Sequence, residues 1–560
     1  MDLGIEELRW QLRSAVEECS ARRLVFSTKW AAEQLCSLPP SIGEVSDTPE
    51  AASIKATPTL KHRLRGAAAQ AGSSEAESSE AAEWERWRQL DVSERDRVAL
   101  GKSLFDMREF ERAAFMLQGC GGPRAVFLRL YSRFLNNERR AGESGSDESS
   151  RAVAEISAEL LALDAADALD GFGVYLLALA LKASGRRDEA RDACVRSVQM
   201  FECNWSAWEL LIGLAGAKAK AICPATGWVR HVYLARALVA AQPAEGAEFG
   251  GHVAALERIF GNSGLVLGLR AQRHYHMREY EEGGRGFETL QELDPFGLEL
   301  SDLHSHILFT IGDGGRLAAL AQRCAAVDRF RPETCMVIGN YHSLRGEHDK
   351  AAGYFRRAVQ LDGSCKKAWV LLGHELMELK NTTGAVDAYR RATDIDASDE
   401  HAWYGLGKAY EILAMPHFAM RYFSRAASLS PHDSRMWCAL ADCYQRTAQP
   451  SQAIACYRRA LHASPENHAH AAVHLARLYV ADGDRSRAAH CFRLLLAHAA
   501  SDAGDDVADA CLFLASFELD RRNTRSARQY LAQVADAAPY RAEEASAMLR
   551  AMASAGDLGR

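Results

Sequence analysis

Paired histidines and a glycine cluster are the features of this sequence whose residue types and spacing could do chemistry. His470 and His474 stand one helical turn apart, the separation that lets two imidazoles meet one metal ion. HEXXH is missing, however, and no third ligand is evident from the sequence, so both read as packing or solvated side chains. His304 with His306 and His274 with His276 read the same way. Gly312-Asp313-Gly314-Gly315 could cradle a phosphate, but no GXXXXGK[ST] pattern occurs and no strand precedes it, so a helix-helix turn is expected. A GXSXG nucleophile elbow is also missing. The sequence therefore predicts no catalytic residues, no cofactor and no metal. An appended catalytic domain would need about 150 or more residues with alternating strand patterns, and none remain unassigned.

The elements that carry these residues repeat. Gly339, Gly373, Gly407 and Ala441 lie 34 residues apart, and Ala351, Ala385, Ala419 and Ala453 recur in the same register. Phe355, Tyr389, Phe423 and Tyr457 keep the spacing, as do Trp369, Trp403 and Trp437. A period of 34 is that of the tetratricopeptide repeat, two antiparallel helices per unit. The small residue of the first helix is expected to face the small residue twelve positions later on the second, letting the backbones approach closely. The aromatic positions supply apolar surface that one unit cannot bury alone, which makes stacking on a neighbour obligatory. Pro431 and Pro465 close second helices. Weaker copies begin at Gly101, Ala178, Ala271, Ser305, Ala476 and Ala515. The fold class is all-α, a superhelical solenoid of antiparallel helix pairs.

Composition agrees. Hydrophobic residues make up 48% of the 560 positions and charged residues 25%, and only 14 prolines interrupt helices. A net charge of -7 without a concentrated Lys/Arg face argues against nucleic acid as a partner. Apolar runs fall short of the roughly 20 residues of a membrane span, and MDLGIEELRWQLR does not read as a signal peptide. Fourteen cysteines without a CXXC pair are expected as reduced thiols in an intracellular protein.

Five segments follow. Residues 1–38 are an amphipathic helical segment, with Leu8, Leu12, Val16, Leu24 and Trp30 among its apolar positions, expected to dock on this chain or on a second copy. Residues 39–82, rich in Ser, Ala, Glu and Pro, are expected as a disordered linker, in which Thr48-Pro49 and Thr57-Pro58 would suit a proline-directed kinase. A divergent repeat array covers 83–260, with 136–150 expected as an inter-repeat loop. A second array covers 261–550, and 551–560 is a tail.

Stacked first helices line a concave wall. The positions around the small residue place Asn340, Ser343, His374, Glu375, Met377, Tyr404, Lys408, Glu411, Asp442 and Gln445 there. Asn, Glu and Tyr around a concavity suit an extended peptide carrying a basic residue, because a partly desolvated carboxylate pairs bidentately with Arg. The alternative, an adaptor clamping an acidic chaperone C-terminus, needs several converging Lys/Arg, whereas Lys408 stands among acidic neighbours.

The repeats VIGNYHSLRGEHDKAAGYFRRAVQLD, AWVLLGHELMELKNTTGAVDAYRRA and AWYGLGKAYEILAMPHFAMRYFSRAASLSPHDSRMWCALADCY, with the opening ELRWQLRSAVEECSARRLVFSTKWAAEQL, resemble the subunit 8 family of the anaphase-promoting complex (cyclosome), the cell-division-cycle-23 type. QELDPFGLE and RFRPETCMVIGNY extend the resemblance, which covers the opening helix and roughly residues 260–465; elsewhere it is at the level of the repeat, and the Ala-rich stretches 39–82 and 214–250 depart from it. It implies a non-catalytic scaffold of a ubiquitin ligase of the cell cycle, at home in nucleus and cytoplasm. It also implies a homodimer through the 83–260 array and a groove that receives the basic C-box of a coactivator. Matching GNY and GHE places Asn340 and Glu375 at the implied Arg-binding positions, with His374 and Tyr404 nearby.

Overall fold

The computed structural model describes residues 5–38, 94–141, 146–216, 219–223, 227–239, 246–463, 468–498, 504–521 and 523–537, and a few positions up to 550. The expected linker at 39–82 with Thr48 and Thr57, Pro465, and the tail at 551–560 lie outside the described residues. All elements among the described residues are helices, and none is long and apolar enough to cross a membrane. They group into two compact units, Met1–Gly297 and Leu298–Arg560. This division falls one helix pair later than the 260/261 boundary drawn from repeat matching.

The first unit holds α1 (Ile5–Ala21), α2 (Val25–Cys36), α3 (Arg95–Asp106), α4 (Phe110–Met116), α5 (Pro123–Ala141), α6 (Ser146–Ala165), α7 (Gly171–Ala183), α8 (Arg187–Met200), α9 (Trp205–Ala215), α10 (Ala219–Ile222), α11 (Trp228–Leu238), α12 (Gly246–Phe260), α13 (Gly264–His276) and α14 (Tyr280–Leu293). The opening segment is a helical hairpin that turns at Arg23, in the left-handed region at φ +58°. It docks on this chain. Trp30 of α2 stacks on Trp205 at 4.8 Å and on Trp228 at 5.7 Å, its ring within 8° of parallel to each. Arg22 is buried against Glu18 and Asp170, with its guanidinium 4.2 Å over the Phe172 ring. Burial opposes the Arg22 charge, and Asp170 and Glu18 more than restore it. Ser27 bonds Asn204 (3.1 Å) and Ser206 (2.7 Å).

The loop expected at 136–150 is mostly helix: α5 runs to Ala141 and α6 starts at Ser146, leaving 142–145 outside the described residues. Its polar composition misled because polar side chains of α5 reach across to α4, where Arg140 pairs with Glu111 and Asn136 donates to the same carboxylate at 3.2 Å. The stretch 214–250 likewise contains a core helix, α11, buried along Trp228, Val229, Val232 and Tyr233.

The second unit holds α15 (Ser301–Ile311), α16 (Gly314–Val327), α17 (Pro332–Leu344), α18 (His348–Leu361), α19 (Lys366–Glu378), α20 (Thr382–Ile395), α21 (Glu400–Ile412), α22 (Pro416–Leu429), α23 (Ser434–Arg446), α24 (Pro450–Ala463), α25 (His468–Ala481), α26 (Arg485–His498), α27 (Gly504–Asp520) and α28 (Thr524–Ala537). Odd and even helices pair, and from α18 onward each pair stacks on the next. Turns within pairs pass through the left-handed region at Gly312, Gly346, Lys380, Ala414 and Ala448, 34 residues apart, though only two are glycine. The Gly312–Gly315 cluster is therefore a helix-helix turn, with Asp313 accepting from the Arg316 amide to cap α16.

All eight small repeat positions, Gly339, Ala351, Gly373, Ala385, Gly407, Ala419, Ala441 and Ala453, are buried. The close contact at the glycines differs from the expected one. A Cβ on Gly339 would come within 2.5 Å of the Phe355 ring, one on Gly373 within 2.5 Å of Tyr389, and one on Gly407 within 2.4 Å of Phe423. The notch thus receives the aromatic ring sixteen positions on. Phe355, Tyr389, Phe423 and Tyr457 are among the largest fully buried side chains. Trp369, Trp403 and Trp437 are only half-buried; each donates its indole N–H to the carbonyl six residues earlier, at 2.9–3.0 Å, tying the inter-repeat turn to the following helix.

Candidate peptide-binding groove

The residue following each small position forms a column along the first helices of the second unit: His306, Asn340, His374, Lys408 and Asp442. The geometry here separates groove from core. His374 is exposed to solvent, yet its pKa is pushed down to about 4, by desolvation first and then by His401 and His306. Water reaches the ring while protein surrounds it, which is the condition of a side chain inside a concavity. Its Nδ1 meets the Tyr389 hydroxyl at 2.8 Å, which fixes the ring over the repeat core. His306, half-buried, is lowered by burial, then by His401 and Lys367, with Asp302 opposing. His401 is raised, chiefly by its hydrogen bond to Asp399, and Lys367 donates to Asp302 at 2.7 Å.

His306, Asp399 and His401 thus belong to the surroundings of His374, and Asp302 and Lys367 to those of His306; sequence reading did not place them there. Lys367 and His401 are themselves 34 apart, one helical turn and more ahead of the small position, so the period could have found them.

The remaining expected groove residues divide. Tyr404 is half-buried, its ring 5.5 Å from Phe423 and 6.0 Å from the Lys408 ammonium. Lys408 donates to Glu411 at 2.9 Å, and Glu411 bonds Arg446 at 3.1 Å, so this carboxylate bridges two cations of successive repeats. Asn340 is buried and donates to Ser305 at 2.9 Å. Glu375 does not present itself to the groove. It is 5% exposed, accepts from Ser343 at 2.7 Å and meets His348 Nδ1 at 2.9 Å. The physical reason is helical geometry: neighbouring residues point about 100° apart, so when His374 faces the groove Glu375 faces the preceding repeat. Ser343 is consequently an internal donor, and Gln445 accepts from Tyr457 at 3.2 Å.

Comparison with known proteins bears on what such a scaffold serves. A family model described as anaphase promoting complex subunit 8 / Cdc23 matches residues 7–271, and two tetratricopeptide-repeat models match 373–412 and 434–467. Anaphase-promoting complex subunit 8 of Arabidopsis thaliana is 33% identical over 67% of this chain and 66% of its own length. Its namesake from Dictyostelium discoideum is 30% identical over 68% of this chain and 70% of its own. This chain belongs to the anaphase-promoting complex subunit 8 family. Anaphase-promoting complex subunit CDC23 of Saccharomyces cerevisiae is 28% identical over 69% of the chain and 71% of its own length. For the subunit 8 family member described here, the family model covers almost the whole first unit, which the sequence resemblance reaches at the opening helix and from about residue 260, with likeness only at the level of the repeat between them.

Proposed function

We propose that the chain is a non-catalytic scaffold subunit of an anaphase-promoting complex that homodimerises through its 83–260 array and receives the basic C-box segment of a coactivator along the His306–Asp442 column. It would act in nucleus and cytoplasm, supporting cell-cycle ubiquitination by position alone. The observation that carries the peptide reading is His374: solvent-open, enclosed by protein, and within reach of the Asp399 carboxylate, with Tyr404 and the Glu411 carboxylate on the next first helix of the array. An extended basic segment would stack on Tyr404 and exchange its charges into the carboxylates. The chaperone-adaptor alternative has less support, because Lys367 and Lys408 are already held by Asp302 and Glu411.

Affinity purification of the tagged full chain separates the two, with cullin-like and RING partners expected in the first case and heat-shock proteins in the second. Fluorescence anisotropy with a labelled C-box peptide tests the groove. Binding by the wild type that Tyr404→Ala leaves untouched removes the column from the site. Light scattering of the purified chain at monomer mass would end the dimer reading.

A further inference from the structure

The two histidines one turn apart on α25 have a third group opposite them. Asp442 projects from α23, which touches α25 directly, and its Oδ2 lies 3.6 Å from His470 Nε2. The His470 and His474 rings are 4.4 Å apart, and one donor atom from each of the three residues falls within 4.8 Å of the others. A tetrahedral zinc ion with bonds of 2.0–2.1 Å spaces its donors about 3.3 Å apart, so the donors need approach one another by at most about 1.5 Å to hold it.

Two further observations point to a ligand. His474 Nδ1 is shielded from solvent and meets no hydrogen-bond partner among the described residues. An unpaired polar atom in that position costs free energy unless something binds there. The surroundings also resemble the outer shell of a metal site. The Tyr457 hydroxyl donates to the other oxygen of Asp442, and its ring stacks on His474 at 5.7 Å and 12°. That contact orients a carboxylate and an imidazole at once. Arg477, the nearest cation along α25, is held by Asp506 at 2.7 Å and Asp509 at 3.3 Å.

We propose that Asp442, His470 and His474 form a divalent transition-metal site, with zinc the ion the ligand chemistry suits best and a fourth position left for water. The two imidazoles favour zinc over calcium or magnesium, and a carboxylate is an ordinary third zinc ligand. Asp442 ends the groove column, so the ion would fix the spacing of two repeats there and place a positive charge at the groove's end.

The test uses the full-length chain, stripped with EDTA and titrated with zinc chloride, then with cobalt chloride. One equivalent is expected whose affinity falls by more than about 100-fold in His470→Ala/His474→Ala, and by about 10–100-fold in Tyr457→Phe, which removes only the outer contact. Cobalt should give visible d–d bands without the near-ultraviolet thiolate charge transfer that binding to the 14 cysteines would produce. Helical circular dichroism checks folding, and His470→Gln with Asp442→Asn replaces the alanine pair if that variant unfolds. Zinc affinity unchanged in a folded variant, or a cobalt spectrum of thiolate type alone, overturns the proposal.

Discussion

From Leu298 to Ala463 the chain meets the same packing problem every 34 residues in succession, whereas up to Gly297 the same helix pair recurs only at irregular intervals, with left-handed turns at Arg108, Gly185 and Arg278. In the second unit an aromatic ring fills a glycine notch at 339, 373 and 407, and an indole ties the following turn at 369, 403 and 437. The first unit adds contacts made once. Three stacked tryptophans come from residues 30, 205 and 228, and one buried arginine joins residues 18, 22 and 170. Local repetition spreads stability over many equal interfaces; long-range closure concentrates it in a few.

The comparison breaks most sharply at Trp30. Trp30→Ala removes the ring stacked on Trp205 and Trp228 and should cost the first unit about 3–5 kcal/mol. Hydrogen exchange should show α1 and α2 losing protection while α17–α24 keep theirs; equal loss in both units would refute the contrast. Gly373→Ala drives a methyl toward the Tyr389 ring and should cost about 1–3 kcal/mol. Ala441 shows that the fold accepts a methyl at this position where the repeat is built for it. A urea midpoint unchanged from wild type would mean that the notch is loose.

Glu375→Ala strands Ser343 and His348 and should lower stability by about 1–3 kcal/mol while leaving C-box affinity of the folded protein unchanged. Titration calorimetry on a folded variant showing lost affinity would return Glu375 to the groove. Lys380→Gly is the smallest effect. It relieves a left-handed residue at φ +59° and should stabilise by about 0.5–1 kcal/mol after the entropy of glycine is set against the relief. A lowered melting temperature would show that the Lys380 side chain contributes more than its backbone strain costs.

How much of this was legible depended on periodicity. The repeat, its small positions and the buried aromatics followed from residue type at fixed spacing, because each unit packs against neighbours with the same sequence rule. The partner of the glycine notch did not: spacing shows that Gly373, Ala385 and Tyr389 share a unit, but only packed helices show that the ring enters the gap. Glu375 was misplaced for the same reason, since adjacency in sequence is divergence on a helix. The stretch 136–150 read as a loop because it is polar throughout, and the partner that holds Asn136 and Arg140, Glu111, lies on another helix.

The sequence by itself determined the all-helical class and the 34-residue register, since these rest on residue types recurring at fixed spacing along one chain, and the wording of its repeats carried the resemblance to the subunit 8 family. Tertiary structure alone decided that the opening hairpin docks on this chain, that His374 faces the groove while Glu375 turns inward, and that Asp442 stands across from His470 and His474. Each of these joins residues from different helices, and the direction of a side chain across a helix interface is set by packing, which no single stretch of sequence contains.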